Sequence, residues 1–260
     1  MTFAWILLLG AIIGVVLGGM GGGGATLTVP ALVYLAGQDA QDATTGSLII
    51  VGVTALAAVV GHARAGAVRW RIGAQFALAG IGGAVLGSAL NQLASTRFLI
   101  LSCAALLLVS GALMLRHARR PGPVGVGDTA TAKRAGAGAV GRVAGAGVAV
   151  GFLTGFLGVG GGFVIVPALV LAVGLPMNAA VGTSLLIIAA NCATALAART
   201  GVADLDWMVI GPFAAAAMSA ALGGRRLAAL VPQRTVTRAF ATLTLVVAGY
   251  MAVRTLALSS

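Results

Sequence analysis

The chain of 260 residues is 60% hydrophobic and 8% charged, with a mean hydropathy of +1.08. A soluble domain carries about 25% charged residues, so this chain cannot cover a water-facing surface and is excluded from the soluble globular class. Its net charge of +11 does not signal nucleic acid, because the basic residues form short clusters between apolar runs, without interleaved aromatics, as positive-inside orientation requires.

The N-terminal stretch Met1-Thr-Phe-Ala-Trp-Ile has no basic n-region and leads straight into a glycine motif. It predicts a retained membrane segment, not a cleaved signal peptide. Long apolar runs follow at 3–18, 46–61, 72–90, 98–115, 143–157, 183–198, 207–222 and 239–257, most of them near the ~20 residues that cross hydrocarbon as a helix. They are continuous and rich in Ala and Leu, without the period-two alternation of a membrane strand. The fold class expected is therefore an all-α polytopic membrane protein.

The first run enters Gly18-Gly-Met-Gly-Gly-Gly-Gly-Ala-Thr-Leu-Thr-Val-Pro30, and this pattern returns as Gly155-Phe-Leu-Gly-Val-Gly-Gly-Gly-Phe-Val-Ile-Val-Pro167. Subtracting Pro30 from Pro167 gives an offset of 137, and the same offset sets Ser47 on Ser184, Trp70 on Trp207, Phe76 on Phe213, Gly87 on Gly224 and Arg97 on Arg234. The chain is thus an internal duplication: repeat 1 at 1–115, a polar basic linker at 116–142 and repeat 2 at 143–260. The linker holds Pro121, Pro123, Asp128 and six basic residues, too polar to fold as a domain of its own.

Each repeat opens on a stretch too long for one straight crossing. Residues 3–36 as one helix would run roughly 50 Å at 1.5 Å per residue, against a hydrocarbon core of about 30 Å. The glycines must break it, either as bent half-helices that cross once or as a re-entrant hairpin. Re-entrant openings leave three crossings per repeat and invert the second. Thirteen of the sixteen basic residues (three at 64–71, six in the linker, four at 225–238) then share one face. The positive-inside rule favours this arrangement, with that face and the linker cytoplasmic.

Broken helices in lipid expose backbone groups that need partners, and paired breaks in two repeats point to a transport site. The half-helices 26–36 and 163–173 would aim N–H groups and the positive ends of their dipoles into a cavity. No Lys, Arg, Asp or Glu lies near the centre of a predicted span, so a site for a small anion would be built from peptide dipoles and neutral side chains. The expected substrate-binding set is Gly21, Gly22, Gly23, Gly24, Thr26, Thr45, Ser47, Gly158, Gly160, Gly161, Gly162, Thr183, Ser184 and Asn191. The hydroxyl pairs are read as opening their helices, and Asn191 as a mid-helix carboxamide that is costly without a partner. Helix–helix contact is the plain alternative for each hydroxyl, and for Gly80, Gly83 and Gly87 it is the preferred one. His62 reads as an interfacial anchor and Trp70 and Trp207 as an aromatic belt.

Neither a metal site nor a disulfide is expected of Cys103 and Cys192, which lie in apolar runs without ligand spacing. No cofactor is expected. No HExxH, aspartate pair or serine–histidine set lies within the spans, which argues against an intramembrane enzyme. A scaffold would explain packing glycines but not two matched breaks. An anion channel of the same architecture stays open beside a transporter, as do a proton or sodium coupling ion and a homodimer.

The two Gly-rich Pro-Ala-Leu motifs, Gly182-Thr183-Ser184-Leu185, His62…Gly66…Trp70, the spaced Gly80, Gly83 and Gly87, and Leu230-Val-Pro232 together resemble the sulfite exporter TauE/SafE family. The resemblance covers nearly the whole chain outside the linker. It implies about eight helices in two related halves, a bacterial inner-membrane location, and transport of sulfite, sulfonates or related organosulfur anions. Two departures stand out: Thr45-Gly46-Ser47 replaces the Gly-Thr-Ser order in the first repeat, and Arg69 replaces the acidic residue that the second repeat keeps in Asp206-Trp207.

Overall fold

The computed structural model describes residues 2–22, 28, 31–32, 40–91, 96–119, 137–157, 162–198, 206–230 and parts of 235–249. The described residues form helices and tight turns, with no strand among them. The helices are α1 (Thr2–Met20), α2 (Ala40–Arg64), α3 (Trp70–Asn91), α4 (Thr96–Arg119), α5 (Ala137–Leu157), α6 (Gly162–Ala168), α7 (Met177–Ala198) and α8 (Trp207–Leu230). The segments Thr45–Arg64, Met177–Ala197 and Trp207–Gly224 are long and apolar enough to cross a bilayer. Large apolar side chains such as Leu78, Val85, Leu86 and Met208 face outward, as a lipid solvent permits. The protein is a helical membrane protein.

The chain divides into two compact units, each drawing helices from both sequence repeats. The first comprises Met1–Gly73 with Val181–Val231, the second Ala74–Ala180 with Pro232–Ser260.

In the first unit, α1 lies against α8 with no side chain between their backbones. Gly10 meets Phe213 and Ala216, Gly14 meets Ala217, and Gly18 meets Ala221; a methyl at Gly14 or Gly18 would overlap the facing carbonyl. Both numbers rise together, so the helices run parallel. Small residues at four-residue spacing allow this approach, which lets dispersion and packing hold helices together in lipid. The start of α2 joins the same core: Gly46 abuts Ile210, and Ile50, Ala43 and Leu32 pack with Ile13, Phe213 and Ala217. At the other end His62 of α2 reaches Gly18 of α1. Hence α1 and α2 begin at the same end of the unit and run parallel. The α7 helix runs opposite to α2, with Gly52 beside Cys192 and Gly182 beside His62.

The second unit repeats the first motif. Gly147 meets Phe76 and Ala79, Gly151 meets Gly80, and Gly155 meets Ala84, again in parallel register between α5 and α3. In the same unit the first turns of α5 meet the segment that continues α6: the Arg142 guanidinium donates to the Ala172 carbonyl at 2.7 Å. The two form a hairpin.

Sequence periodicity treats 163–173 as one half-helix. The structure splits it into α6, which contains Pro167, and a π-helical turn over Leu169–Val173. Gly174 closes the turn with φ of 80°, and Leu175 N–H donates to Leu169 O at 2.9 Å. Widened turns of this kind follow where the regular ladder is interrupted, as it is at a residue lacking N–H.

Candidate anion-transport site

The first glycine break begins where α1 ends. Gly21 has φ of 75°, a conformation that glycine adopts without a Cβ clash, and its N–H still donates to Leu17 O at 2.8 Å. The carbonyls of the last turn lose their helical partners. One of them, Gly18 O, accepts a hydrogen bond from His62 Nε2 at 2.9 Å. Because a carbonyl only accepts, Nε2 carries the proton. His62 is 2% exposed. It is therefore a buried bonding residue, not the interfacial anchor expected of it.

His62 also closes its own helix. Its carbonyl accepts Ala67 N–H at 3.0 Å, while Gly66 N–H donates to Ala63 O at 2.9 Å with Gly66 at φ of 67°. This pair of bonds is a Schellman motif, in which glycine takes the left-handed position. The chain turns there into α3, and α7 clamps the turn. Gly182 sits against His62 Cβ and the Ala67 carbonyl, so that only glycine fits without displacing them. Thr183 Oγ1 accepts the Arg69 N–H at 3.1 Å, and its methyl lies over Gly73. Thr183 thereby satisfies a backbone donor at the entry to α3. Three sequence motifs thus converge at one end of the first unit: the glycine break, His62…Gly66…Trp70 and Gly182-Thr183-Ser184. Arg64, Arg69 and Arg71 stand exposed around them.

The expected site residues fall in different places. Gly21 and Gly22 are buried at the end of α1. Gly23, Gly24, Thr26, Gly158, Gly160 and Gly161 lie outside the described residues. Gly162 opens α6 and is buried, in the second unit. Thr45 and Ser47 are buried in α2, and Thr183 and Ser184 in α7. None opens its helix: α2 starts at Ala40 and α7 at Met177, so both pairs sit beyond the first turn. The Ser184 hydroxyl donates to Val181 O of its own helix at 2.8 Å. Asn191 is half-buried in the middle of α7, where its backbone carbonyl accepts the Thr194 hydroxyl at 3.0 Å. The break itself also differs from expectation. The sequence places it near the middle of the membrane, yet Gly18 is level with His62, close to the end of α2. The α1 helix of 19 residues is about 28 Å long at 1.5 Å per residue, close to a full hydrocarbon thickness.

Sequence reasoning missed His62, Gly182 and the Arg69 amide as one cluster. The available signal was that His62 precedes Gly66 at the spacing of a helix end with a left-handed glycine. Trp70 and Trp207 are exposed, as residues of an aromatic belt would be.

Comparison with known proteins identifies the family of the chain. The family model for the sulfite exporter TauE/SafE matches residues 6–251. A probable membrane transporter protein of Xylella fastidiosa (strain Temecula1 / ATCC 700964) is 36% identical over 180 residues, covering 69% of this chain and 67% of that protein. The probable membrane transporter protein YunE of Bacillus subtilis (strain 168) is 28% identical over 253 residues, covering 92% and 91%. No solved structure matches the chain. The chain belongs to the sulfite exporter TauE/SafE family.

Proposed function

We propose that this protein is a secondary transporter for small anions, with sulfite, sulfonates and related organosulfur anions as the substrate class, working by alternating access in a bacterial cytoplasmic membrane. The observation that carries the reading is the twice-used helix pair. Adding 137 to Gly10, Gly14 and Gly18 gives Gly147, Gly151 and Gly155, and subtracting it from Phe213, Ala217 and Ala221 gives Phe76, Gly80 and Ala84. One packing module is thus built twice, each time with a helix from each repeat. Repeats that exchange helices in this way suit alternating access.

Inversion of the second repeat is supported by α2 and α7. They are equivalent helices at the 137 offset, yet they pack antiparallel. The parallel course of α1 and α2, and the α5–α6 hairpin, support openings that return to their starting side. The absence of charged side chains from the span centres supports an anion held by backbone N–H groups and neutral side chains.

The test is flux into proteoliposomes of radiolabelled sulfite and of a sulfonate. Saturable uptake that accelerates when the same anion is loaded inside supports a transporter. Unsaturating flux without counterflow would identify a channel, and no flux of either anion would end the reading. Topology is tested separately, in a variant lacking the native cysteines, by single cysteines at Ala65 and Met208. These should label from opposite sides of the membrane; labelling from one side overturns the inversion.

A further inference from the structure

We infer that His62 is a positioning residue for transport, acting as a fixed hydrogen-bond donor that holds the first glycine break against the α2–α3 turn. The inference deepens the transporter reading and rests on it.

Four observations converge on this residue. His62 is buried at 2% exposure, and its Nε2 lies 2.9 Å from the Gly18 carbonyl. That carbonyl belongs to the last turn of α1, whose acceptors have lost their helical donors. The His62 carbonyl caps the turn through Ala67 N–H. Finally, a methyl at Gly182 would press on the His62 Cβ and the Ala67 carbonyl at 3.1–3.2 Å, so the glycine lets α7 pack closely on both. The residue, through its ring, its backbone carbonyl and its Cβ, therefore touches three elements: the end of α1, the α2–α3 turn and α7. Movement of the glycine break relative to α2 must either break this bond or carry the turn with it.

The elements packed around the ring carry few ionisable side chains. Residues 2–20 of α1 contain no titratable side chain, and α7 contributes only Cys192. The α2–α3 turn carries Arg64, Arg69 and Arg71, and the last turns of α8 carry Arg225 and Arg226. Asp42, the one carboxylate of α2, is near that helix's opposite end. Neutral imidazole with the proton on Nε2 satisfies the Gly18 carbonyl as it stands.

The device belongs to one repeat only. The equivalent of His62 at the 137 offset is Arg199, and the equivalent of Gly18 is Gly155, so the second repeat cannot build the same bond from an imidazole. The two breaks are then held by different chemistry, although the sequence around them is duplicated.

The experiment compares His62→Gln with His62→Leu in proteoliposomes, with wild type as the reference. Glutamine places an N–H donor at a similar reach and cannot titrate; leucine fills the space and cannot donate. Maximal flux should stay within about threefold of wild type in His62→Gln and fall about tenfold or more in His62→Leu, since one buried carbonyl loses its donor. KM should move less than maximal flux. The pH profile of His62→Gln should parallel that of wild type across the range where imidazole titrates.

Full flux in His62→Leu overturns the inference. So does a His62→Gln variant that loses the pH dependence of wild type, which would make the ring a titrating group. A second measurement needs no transport. With His117→Gln, His62 is the sole histidine of the chain, and nitrogen NMR of labelled protein should show the Nε2-protonated tautomer. The other tautomer overturns the inference even if His62→Leu fails to fold. Absence of flux in wild type would instead refute the transporter reading, leaving the spectrum to decide the bond.

Discussion

The α1·α8 pair of the first unit and the α5·α3 pair of the second use the same three contact levels, yet they are anchored differently. At the break end of α1 a histidine ties the helix to a neighbouring turn. On the α5 side the described anchors are an arginine at the base of the hairpin and a small aromatic cluster. Arg142 holds Ala172 O, Phe152 stacks on Phe156 at 5.8 Å, and Phe98 meets Phe156 edge-on at 6.4 Å. The equivalents of Phe152 and Phe156 in the first repeat are Val15 and Gly19. The comparison separates two kinds of constraint. Backbone-to-backbone contact tolerates only small residues, so the contact levels are the same in both copies. The anchors at the ends have many chemical solutions, and each copy has its own.

The largest effects should come from breaking the shared register. Gly14→Leu and Gly151→Leu each drive a side chain into a facing carbonyl, at Ala217 and Gly80 respectively. Neither neighbour is a flexible side chain that could yield. Overpacking costs about 1–3 kcal/mol where atoms can adjust, and more is expected where backbone must move. Both variants should lose monodisperse protein in detergent, as read by size-exclusion yield. Gly82→Ala and Gly145→Ala sharpen the comparison. They sit on the same helices as the register glycines of the second unit but face open space, and their midpoints of thermal unfolding should match wild type. Equal damage at Gly82 and Gly151 would show that helix glycine content, not the close approach, is what matters.

Much of this was legible in the sequence, and the reasons differ by feature. The helical membrane class followed from the low charge and from the continuous apolar runs, because hydrocarbon leaves helices few alternatives. The duplication followed from one gapless offset. The pairing of α1 with α8 was not legible, since which repeat partners which depends on tertiary packing between segments some two hundred residues apart. Thr183 and Ser184 illustrate the limit at the site. A hydroxyl near a helix end reads the same whether it awaits a ligand or satisfies a backbone group, and only the position of Arg69 N–H shows what Thr183 bonds. His62 was misread for a related reason: a histidine beside arginines at a helix end resembles an interfacial residue until the Gly18 carbonyl is placed next to it.

Smaller effects should separate clamp from ligand. Thr183→Val keeps the shape and removes the acceptor of Arg69 N–H, a loss comparable to removing a helix cap, about 1 kcal/mol. Thr183→Ser restores the acceptor and should recover the stability. Ser184→Ala should cost less, because its hydroxyl donates within its own helix, to Val181 O. If Thr183→Val lowers anion affinity without lowering the unfolding temperature, the residue is a ligand contact and the clamp assignment is wrong. Gly66→Ala tests the turn beneath the clamp. No atom would obstruct the added methyl, so the cost is that of placing a side chain at φ of 67°, roughly 1 kcal/mol.

The smallest effect is expected at Arg142, and its size bears on the comparison. The bond to Ala172 O is short but exposed, so water competes for both groups and the guanidinium loses side-chain entropy on docking. Exposed surface substitutions usually stay within about 0.5 kcal/mol, and Arg142→Gln should do so, with unchanged unfolding temperature. His62→Leu, which removes a buried bond, should cost several times more. That asymmetry would mean that the first break is held at its turn while the second hairpin tolerates loosening at its base. A large loss at Arg142 would show instead that both openings depend on their anchors alike, and the two repeats would then be mechanically equivalent despite their different chemistry.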